Sequence, residues 1–334
     1  MTDRPTTLAD LARVCGVSSA TASRAINGKP GVRPEVRERV RRVAESIGFV
    51  PNRSAQHLAS GRSSLIGVVF PSDGLRSDPY AAAMIDAIGR AAAKAGFGTL
   101  LHLEAGAPPE QVFAMLQRSG SDGLIVSALA ASAMWISELA AAGVPVVYVG
   151  RPSPDVDLPF VTAESFSASI RATEHLFEQG CRTVACLTGP LDRPDARDRY
   201  DGFVEAHRLA GLPIDDSLVV VGDFTAAAGV AAVEELLRLG VDGVVAANDL
   251  MARGVVSGLV QRGVAVPGEI AVVGYDGTVG AEFPPVLTTV RQPFDAIGER
   301  AVAMLIAILD GEAPGSEVLA AELVVGDTSV RARR

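Results

Sequence analysis

The chain has 334 residues, 48% of them apolar, with no unbroken apolar run near the eighteen or so of a membrane span. It is long enough for two or three buried cores and has the composition of a compact soluble protein. The net charge of -9 excludes a protein that simply coats nucleic acid, yet the charge is uneven. Residues 1–62 hold 11 Lys+Arg against 5 Asp+Glu, and the remainder hold 19 against 34, a small basic head on a large acidic body. The N-terminus lacks the apolar core of a secretory leader, so a cytoplasmic protein is expected. Cys15, Cys181 and Cys186 are an odd set without metal spacing, which predicts reduced, packed thiols and no metal site.

The head opens on two short helical patterns that meet at a glycine. Thr7 with Asp10 is close to a capping box, and Leu8, Leu11, Ala12 and Val14 supply an apolar face. Gly16 permits a sharp turn and Ser18 is a good N-cap for a second helix. That helix displays Ser19, Ala20, Thr21, Ser23 and Arg24 and keeps Ala22, Ala25 and Ile26 for packing. Short hydroxyls reach phosphates or base edges, and arginine can read guanine in the major groove. This is a helix-turn-helix pattern, although alone it also fits an ordinary pair of amphipathic helices around a glycine corner.

A turn at residues 28–31 leads to a third helix that starts at Pro34 and ends before Gly48, with Val36, Val40, Val43 and Ile47 on one face. Its arginines are either phosphate contacts or solvated and ion-paired side chains. Residues 49–62 are polar and marginally helical with one large apolar residue in their midst, Leu58. Two turns of helix without a core partner order only against something else.

From Leu65 the texture becomes alternating strands and helices. Strand patterns cover residues 65–70, 99–103, 123–127 and 146–149, and a helix covers about 80–95. After a loop at 152–159, a second series has strands at 183–188, 218–221, 243–247 and 270–275. Continuous Val/Ile/Leu strands between helices mean parallel sheets covered on both faces, and two such series mean two doubly wound lobes. The strands at 287–290 and 322–325 and the helix at 296–309 are too few for a third lobe and are expected to return to the first two. The fold class is therefore a small all-α head plus an α/β body of two doubly wound parallel-sheet lobes. A ligand site belongs in the cleft between the lobes, at the carboxyl ends of the strands. No Walker loop, G-x-S-x-G elbow, HExxH or strand-linked G-x-G-x-x-G is present, so no catalytic residue, cofactor or enzyme activity is assigned.

In this order the motifs resemble the LacI/GalR family of bacterial transcription regulators over essentially the whole chain. The likeness is carried by Thr7 to Ala12, Gly16-Val17-Ser18, Ala20 to Gly28, Ile47 to Asn52, and Ile66 to Val69. In the body it is carried by Ala196 to Phe203, Ala247-Asn248-Asp249, Val273 to Asp276 and Leu287 to Pro293. The resemblance implies a body of the periplasmic-binding-protein type I kind. It also implies a dimer that binds a palindromic operator in double-stranded DNA, most often as a repressor, under control of a small-molecule effector such as a sugar.

By position, Ser19 and Ala20 fall where the family reads bases, Thr21 and Ser23 where it anchors to the backbone, and Arg24 where it can contact bases. Ser18, Asn27 and Asn52 complete the DNA-facing motifs, and Leu58 matches the leucine that wedges into the minor groove, with Ala55 beside it. In the cleft, Arg199, Asn248 and Asp276 match effector-binding positions, Phe224 falls where an aromatic platform would sit, and Ser72, Asp73 and Tyr80 are first-lobe candidates. For Asn248 a helix cap, and for Phe224 and Tyr80 plain packing, are the alternatives.

Three departures stand out. Gly150-Arg151 replaces a common Asp-Arg, which makes Arg151 a candidate contact for an anionic or differently shaped effector. Arg33 replaces a capping serine and trades the cap for a phosphate contact. Ala22 and Ala25 replace bulkier valines, which would loosen the second helix. The expected division is 1–50 for the DNA-binding head, 51–62 for a hinge and 63–334 for the effector and dimerisation body. Within the body, lobe 1 takes about 63–161 and 293–321, and lobe 2 about 162–292 and 322–334. No heptad helix follows Val330, so a dimer rather than a tetramer is expected. A solute-binding protein with the same two lobes is the alternative, disfavoured by the first 62 residues.

Overall fold

Local capping sets up the head. The computed structural model describes residues 7–49, 62–71, 78–104, 114, 118–127, 135–279 and 284–330. It divides into two compact units, Met1–Ser63 and Ser64–Arg334. In the first, the Thr7 hydroxyl accepts from the Asp10 N–H at 3.2 Å while the Asp10 carboxylate accepts from the Thr7 N–H at 3.0 Å, so two orphan donors of helix α1 (Leu8–Cys15) are satisfied reciprocally. Gly16 then takes the left-handed conformation at φ 62°, and Ser18 caps α2 (Ser19–Ile26) by accepting from the Thr21 N–H at 3.1 Å. Helix α3 (Pro34–Ser46) begins on its proline and buries Val40 and Ala44.

These three helices close over Leu11, Cys15, Ala25, Val40 and Ala44. Val14, expected on the inner face of α1, is instead 60% exposed, and Cys15 takes the place. Residues 8, 11, 12 and 15 follow one helical stripe, whereas 14 lies off it. Ala22 and Ala25 are sealed from water.

In the second unit the chain runs β1 (Leu65–Pro71), α4 (Pro79–Lys94), β2 (Gly98–Glu104), β3 (Gly123–Ser127), α5 (Trp135–Ala141), β4 (Val146–Val149) and β5 (Phe160–Ala163). It continues through α6 (Ser165–Glu178), β6 (Val184–Thr188), α7 (Pro194–Ala210), β7 (Val219–Val221), α8 (Ala226–Arg238), β8 (Gly243–Ala246), α9 (Asp249–Gln261) and β9 (Ala271–Asp276). It ends with β10 (Thr288–Arg291), α10 (Phe294–Leu309), β11 (Glu317–Leu319) and β12 (Glu322–Val324). One sheet has the order β11-β5-β4-β3-β1-β2 and the other β12-β10-β9-β8-β6-β7. Every described pairing is parallel except β10 with β12. The interior strands β3 and β6 are buried along their whole length, as sheets covered on both faces require.

The chain passes between the sheets after β5, after β10 and after β11. Two of these passages are tied together. The Arg171 guanidinium donates to the Glu164 carboxylate and, at 2.8 Å, to the Ala321 carbonyl, and the Ala321 N–H donates back to Glu164 at 3.3 Å. Two strands, β5 and β11, escaped the sequence patterns. The first has four residues directly behind a Pro/Asp-rich loop, and the second has three on a sheet edge with Val318 61% exposed, too short for either periodicity to register.

Candidate functional site

Between the two sheets lies a cavity of about 290 Å³. Its walls are the carboxyl ends of strands and the amino-terminal turns of the helices that follow them. Phe70 and Pro71 end β1, Val149 ends β4, and Thr162 and Ala163 end β5. Facing them are Asp223 and Phe224 after β7, Asn248 after β8, Asp276 at the end of β9 and Gln292 after β10. The amino ends of α4, α6, α7, α9 and α10 contribute Tyr80, Ser165, Arg199, Leu250 and Ile297. Parallel strands with helices on both faces converge their loops and helix N-termini at this one edge, where polar ligands are favoured.

Arg199 stands in the second turn of α7. One nitrogen of its guanidinium donates to the Ala247 carbonyl, another lies 3.8 Å from the Asp276 carboxylate, and the group stacks 3.7 Å over the Tyr275 ring. Its Nε is buried without a hydrogen-bond partner. Burial works against its charge, but Asp276, Tyr275 and Asp195 outweigh that, and the guanidinium is held protonated. Asp276 ends β9 with φ 110°, a conformation that costs a side-chain-bearing residue energy, and accepts from Gln292 Nε2 at 2.7 Å. Burial raises its carboxyl well above the ordinary range despite Arg199.

Asn248 does what the capping alternative expected and also lines the cavity. Its Oδ1 accepts from the Met251 N–H at 2.9 Å at the start of α9, and its Nδ2 donates to the Phe224 carbonyl at 2.8 Å. That bond holds Phe224, whose φ of 69° turns the ring onto Gly189. A Cβ at Gly189 would come within 2.1 Å of the ring, so only glycine admits it there. The Arg193 guanidinium lies 5.3 Å from the ring centroid. On the other side Tyr80 packs edge-on against Phe294 at 5.6 Å, and burial keeps its hydroxyl protonated.

The structure thus brings together Tyr80, Arg199, Phe224, Asn248 and Asp276. Arg151 does not line the cavity; its guanidinium bonds the Asp198 carboxylate at 2.7 Å. Ser72 and Asp73 lie outside the described residues. Sequence reasoning missed Asp78, Asp195 and Gln292, which also line the cavity. Asp78 caps α4 by accepting from the Tyr80 N–H at 3.0 Å, and Asp195 accepts from the Arg151 N–H at 3.3 Å. Burial raises both carboxyls, more than the neighbouring arginines lower them. Asp195 was findable, since it sits one helical turn before Arg199 on the same face of α7.

In the head, Ser18, Ser19, Ala20, Arg24 and Asn27 are exposed, and Thr21 and Ser23 are half-buried beside them. The Ser18 and Thr21 hydroxyls share a hydrogen bond of 2.9 Å, and Asn27 Nδ2 donates to Ser23 Oγ at 3.3 Å. Arg33 occupies the N-cap position of α3, makes no side-chain cap and is exposed. Asn52, Ala55 and Leu58 lie outside the described residues.

A three-helix head with a displayed recognition helix, joined in sequence to a two-lobed body with a polar cavity, defines a ligand-responsive transcriptional regulator. The known relatives agree. Residues 7–52 match the family described as bacterial regulatory proteins, lacI family, and residues 173–329 match a periplasmic binding protein-like domain. The HTH-type transcriptional regulator CelR of Thermobifida fusca is 35% identical over 97% of this chain and 98% of its own. Catabolite control protein A of Priestia megaterium is 30% identical over 94% and 95%. Among solved structures, a complex of CelR with cellobiose superposes with a TM-score of 0.76 at 35% identity, covering 97% of this chain and all of the other. The lac repressor dimer bound to operator and the anti-inducer ONPF superposes at 0.83 with 28% identity, covering 98% and all of the other. The chain belongs to the LacI family of bacterial transcriptional regulators. These relatives are regulators rather than enzymes, and no described helix is long and apolar enough to cross a membrane.

Proposed function

We propose that this regulator is a repressor that binds a palindromic operator as a homodimer in the cytoplasm, and that a sugar in the body cavity changes its affinity for that operator. The observation that carries the reading is the cavity itself. It pairs an aromatic ring, Phe224, with directional polar groups, Arg199, Asp276 and Asn248, on the lobe opposite Tyr80. A sugar presents an apolar ring face and a rim of hydroxyls, and a stacking ring edged by fixed donors and acceptors suits both. A relative at 35% identity was solved with cellobiose, which supports a sugar for this chain.

Residues 1–50 serve as the DNA-binding head, 51–62 as the hinge and 63–334 as the effector and dimerisation body. Ser19, Ala20 and Arg24 read bases, Thr21, Ser23 and Arg33 hold the backbone, Ser18, Asn27 and Asn52 belong to the same DNA-facing set, and Leu58 of the hinge wedges into the minor groove with Ala55 beside it. An apolar wedge there unstacks a base step, costing a few kcal/mol that wider contact offsets.

Calorimetric titration with a panel of neutral mono- and disaccharides tests the cavity assignment. At least one sugar is expected to bind, and Arg199→Ala is expected to weaken it at least about tenfold, the loss of one charge-assisted contact. Equal sugar affinity in the variant would remove Arg199 from the site.

A further inference from the structure

Arg37 stands apart from the other arginines of α3. Its Nη1 donates to the Gly28 carbonyl at 3.0 Å and its Nη2 to the Lys29 carbonyl at 2.8 Å. These two carbonyls lie in the turn that leaves the recognition helix α2. The turn has little stiffness of its own, because Gly28 and Gly31 both take positive φ, 67° and 88°. The Lys29 N–H in turn donates to the Arg24 carbonyl at 3.0 Å, and Asn27 Nδ2 bonds Ser23. A continuous path therefore runs from the first turn of α3, through the forked guanidinium, to the last turn of α2. A helix of eight residues has almost no rigidity beyond its packing, and α2 packs mainly through small alanines. A cation at a helix carboxyl end is also favoured by the helix dipole.

We infer that Arg37 is a positioning residue for operator reading. It anchors the carboxyl end of α2, and with it Arg24 and Asn27, through the turn carbonyls, and it does not act as a phosphate contact. The inference rests on the head binding DNA as proposed above. Two of its five N–H donors are spent on backbone carbonyls, one from each Nη, which fixes the direction in which the fork points. Lysine would keep the charge but lacks the planar fork that reaches two separate carbonyls.

The experiment uses the full-length protein and a duplex that the wild type recovers from a random-sequence DNA library, with a scrambled duplex as the non-specific probe. Failure of the wild type to recover any duplex would defeat the DNA-binding reading itself, separately from the Arg37 inference. With Arg37→Lys and Arg37→Gln, affinity for the selected duplex is expected to fall about tenfold, the loss of hydrogen bonds from a charged donor. Affinity for the scrambled duplex and the slope of log affinity against log salt should stay at wild-type values. A phosphate contact would weaken both duplexes alike and reduce that slope by about 0.9. An unfolded head would also lower both in parallel, which a thermal melt would register. A parallel fall, an unchanged selected-duplex affinity, or full rescue by lysine would each overturn the inference.

Discussion

Asp195 shows how a single residue can line a cavity and carry a stability cost. Burial among polar partners raises its carboxyl above the ordinary 3.8 in the folded state, so the folded protein holds its proton more tightly than the unfolded chain. Stability is therefore lost as pH rises from 3.8 through the raised native value, and is flat above it. Asp195→Asn keeps an acceptor for the Arg151 N–H but has no proton to lose. The melting temperature of the sugar-free variant is expected to fall less than the wild type's across that pH range; identical profiles would show that Asp195 pays no such cost. At this scale the sequence was informative where a motif placed the residue. Arg199, Asn248 and Asp276 were nameable because each lies within a family motif. Gln292 sits within a matched motif yet carried no sign that its amide reaches Asp276, since the two stand sixteen positions apart in the chain.

Helices α8 and α9 illustrate the element scale. Each meets the other at a glycine: a Cβ on Gly229 would lie 2.1 Å from the Met251 carbonyl oxygen, and one on Gly254 2.1 Å from that of Ala226. Both obstacles are backbone, so neither can rotate away. Gly254→Ala should push the pair apart and destabilise the body by about 1–3 kcal/mol, as over-packing does. Denaturant unfolding followed by far-UV circular dichroism would reveal it as a lower midpoint, and an unchanged midpoint would mean the helices separate without cost. The long periodic elements were readable from sequence, because caps such as Thr7, Ser18 and Pro34 announce their starts and glycines 16 and 48 their ends. The short edge strand β11 was not, since only two of its three residues are apolar and one of them, Val318, faces solvent. Nor was the partner of Arg151, because Asp198 belongs to the opposite lobe.

For the whole molecule, the decisive feature is a body of two sheets linked by three passages, with the cavity lined from both sides. A ligand that touches both lobes binds one relative arrangement of them better than another, and can shift their equilibrium only by that difference in affinity. Coupling of this kind is reciprocal, so a sugar that weakens operator binding must itself bind more weakly to the operator complex. The hinge residues 51–62 are where such a shift would reach the DNA-binding head under the proposed reading. The succession of a small helical head and an α/β body of two sheets could be read from the sequence, because the charge asymmetry and the change from helical to alternating strand–helix texture mark it. The cavity could be placed only in outline, at the carboxyl ends of the strands, because its walls come from eight separate stretches of chain.

The most direct measurement is binding of the purified protein to duplex DNA from its own upstream region, at one fixed salt concentration, with and without each sugar of the panel. Salt is held constant because phosphate contacts dominate such affinities. The expected result is that a palindromic site within that region is bound, and that the sugar found by calorimetry, supplied at its wild-type dissociation constant, changes the affinity in the wild type and changes it far less in Arg199→Ala. A site bound equally well with and without every sugar that enters the cavity would contradict it.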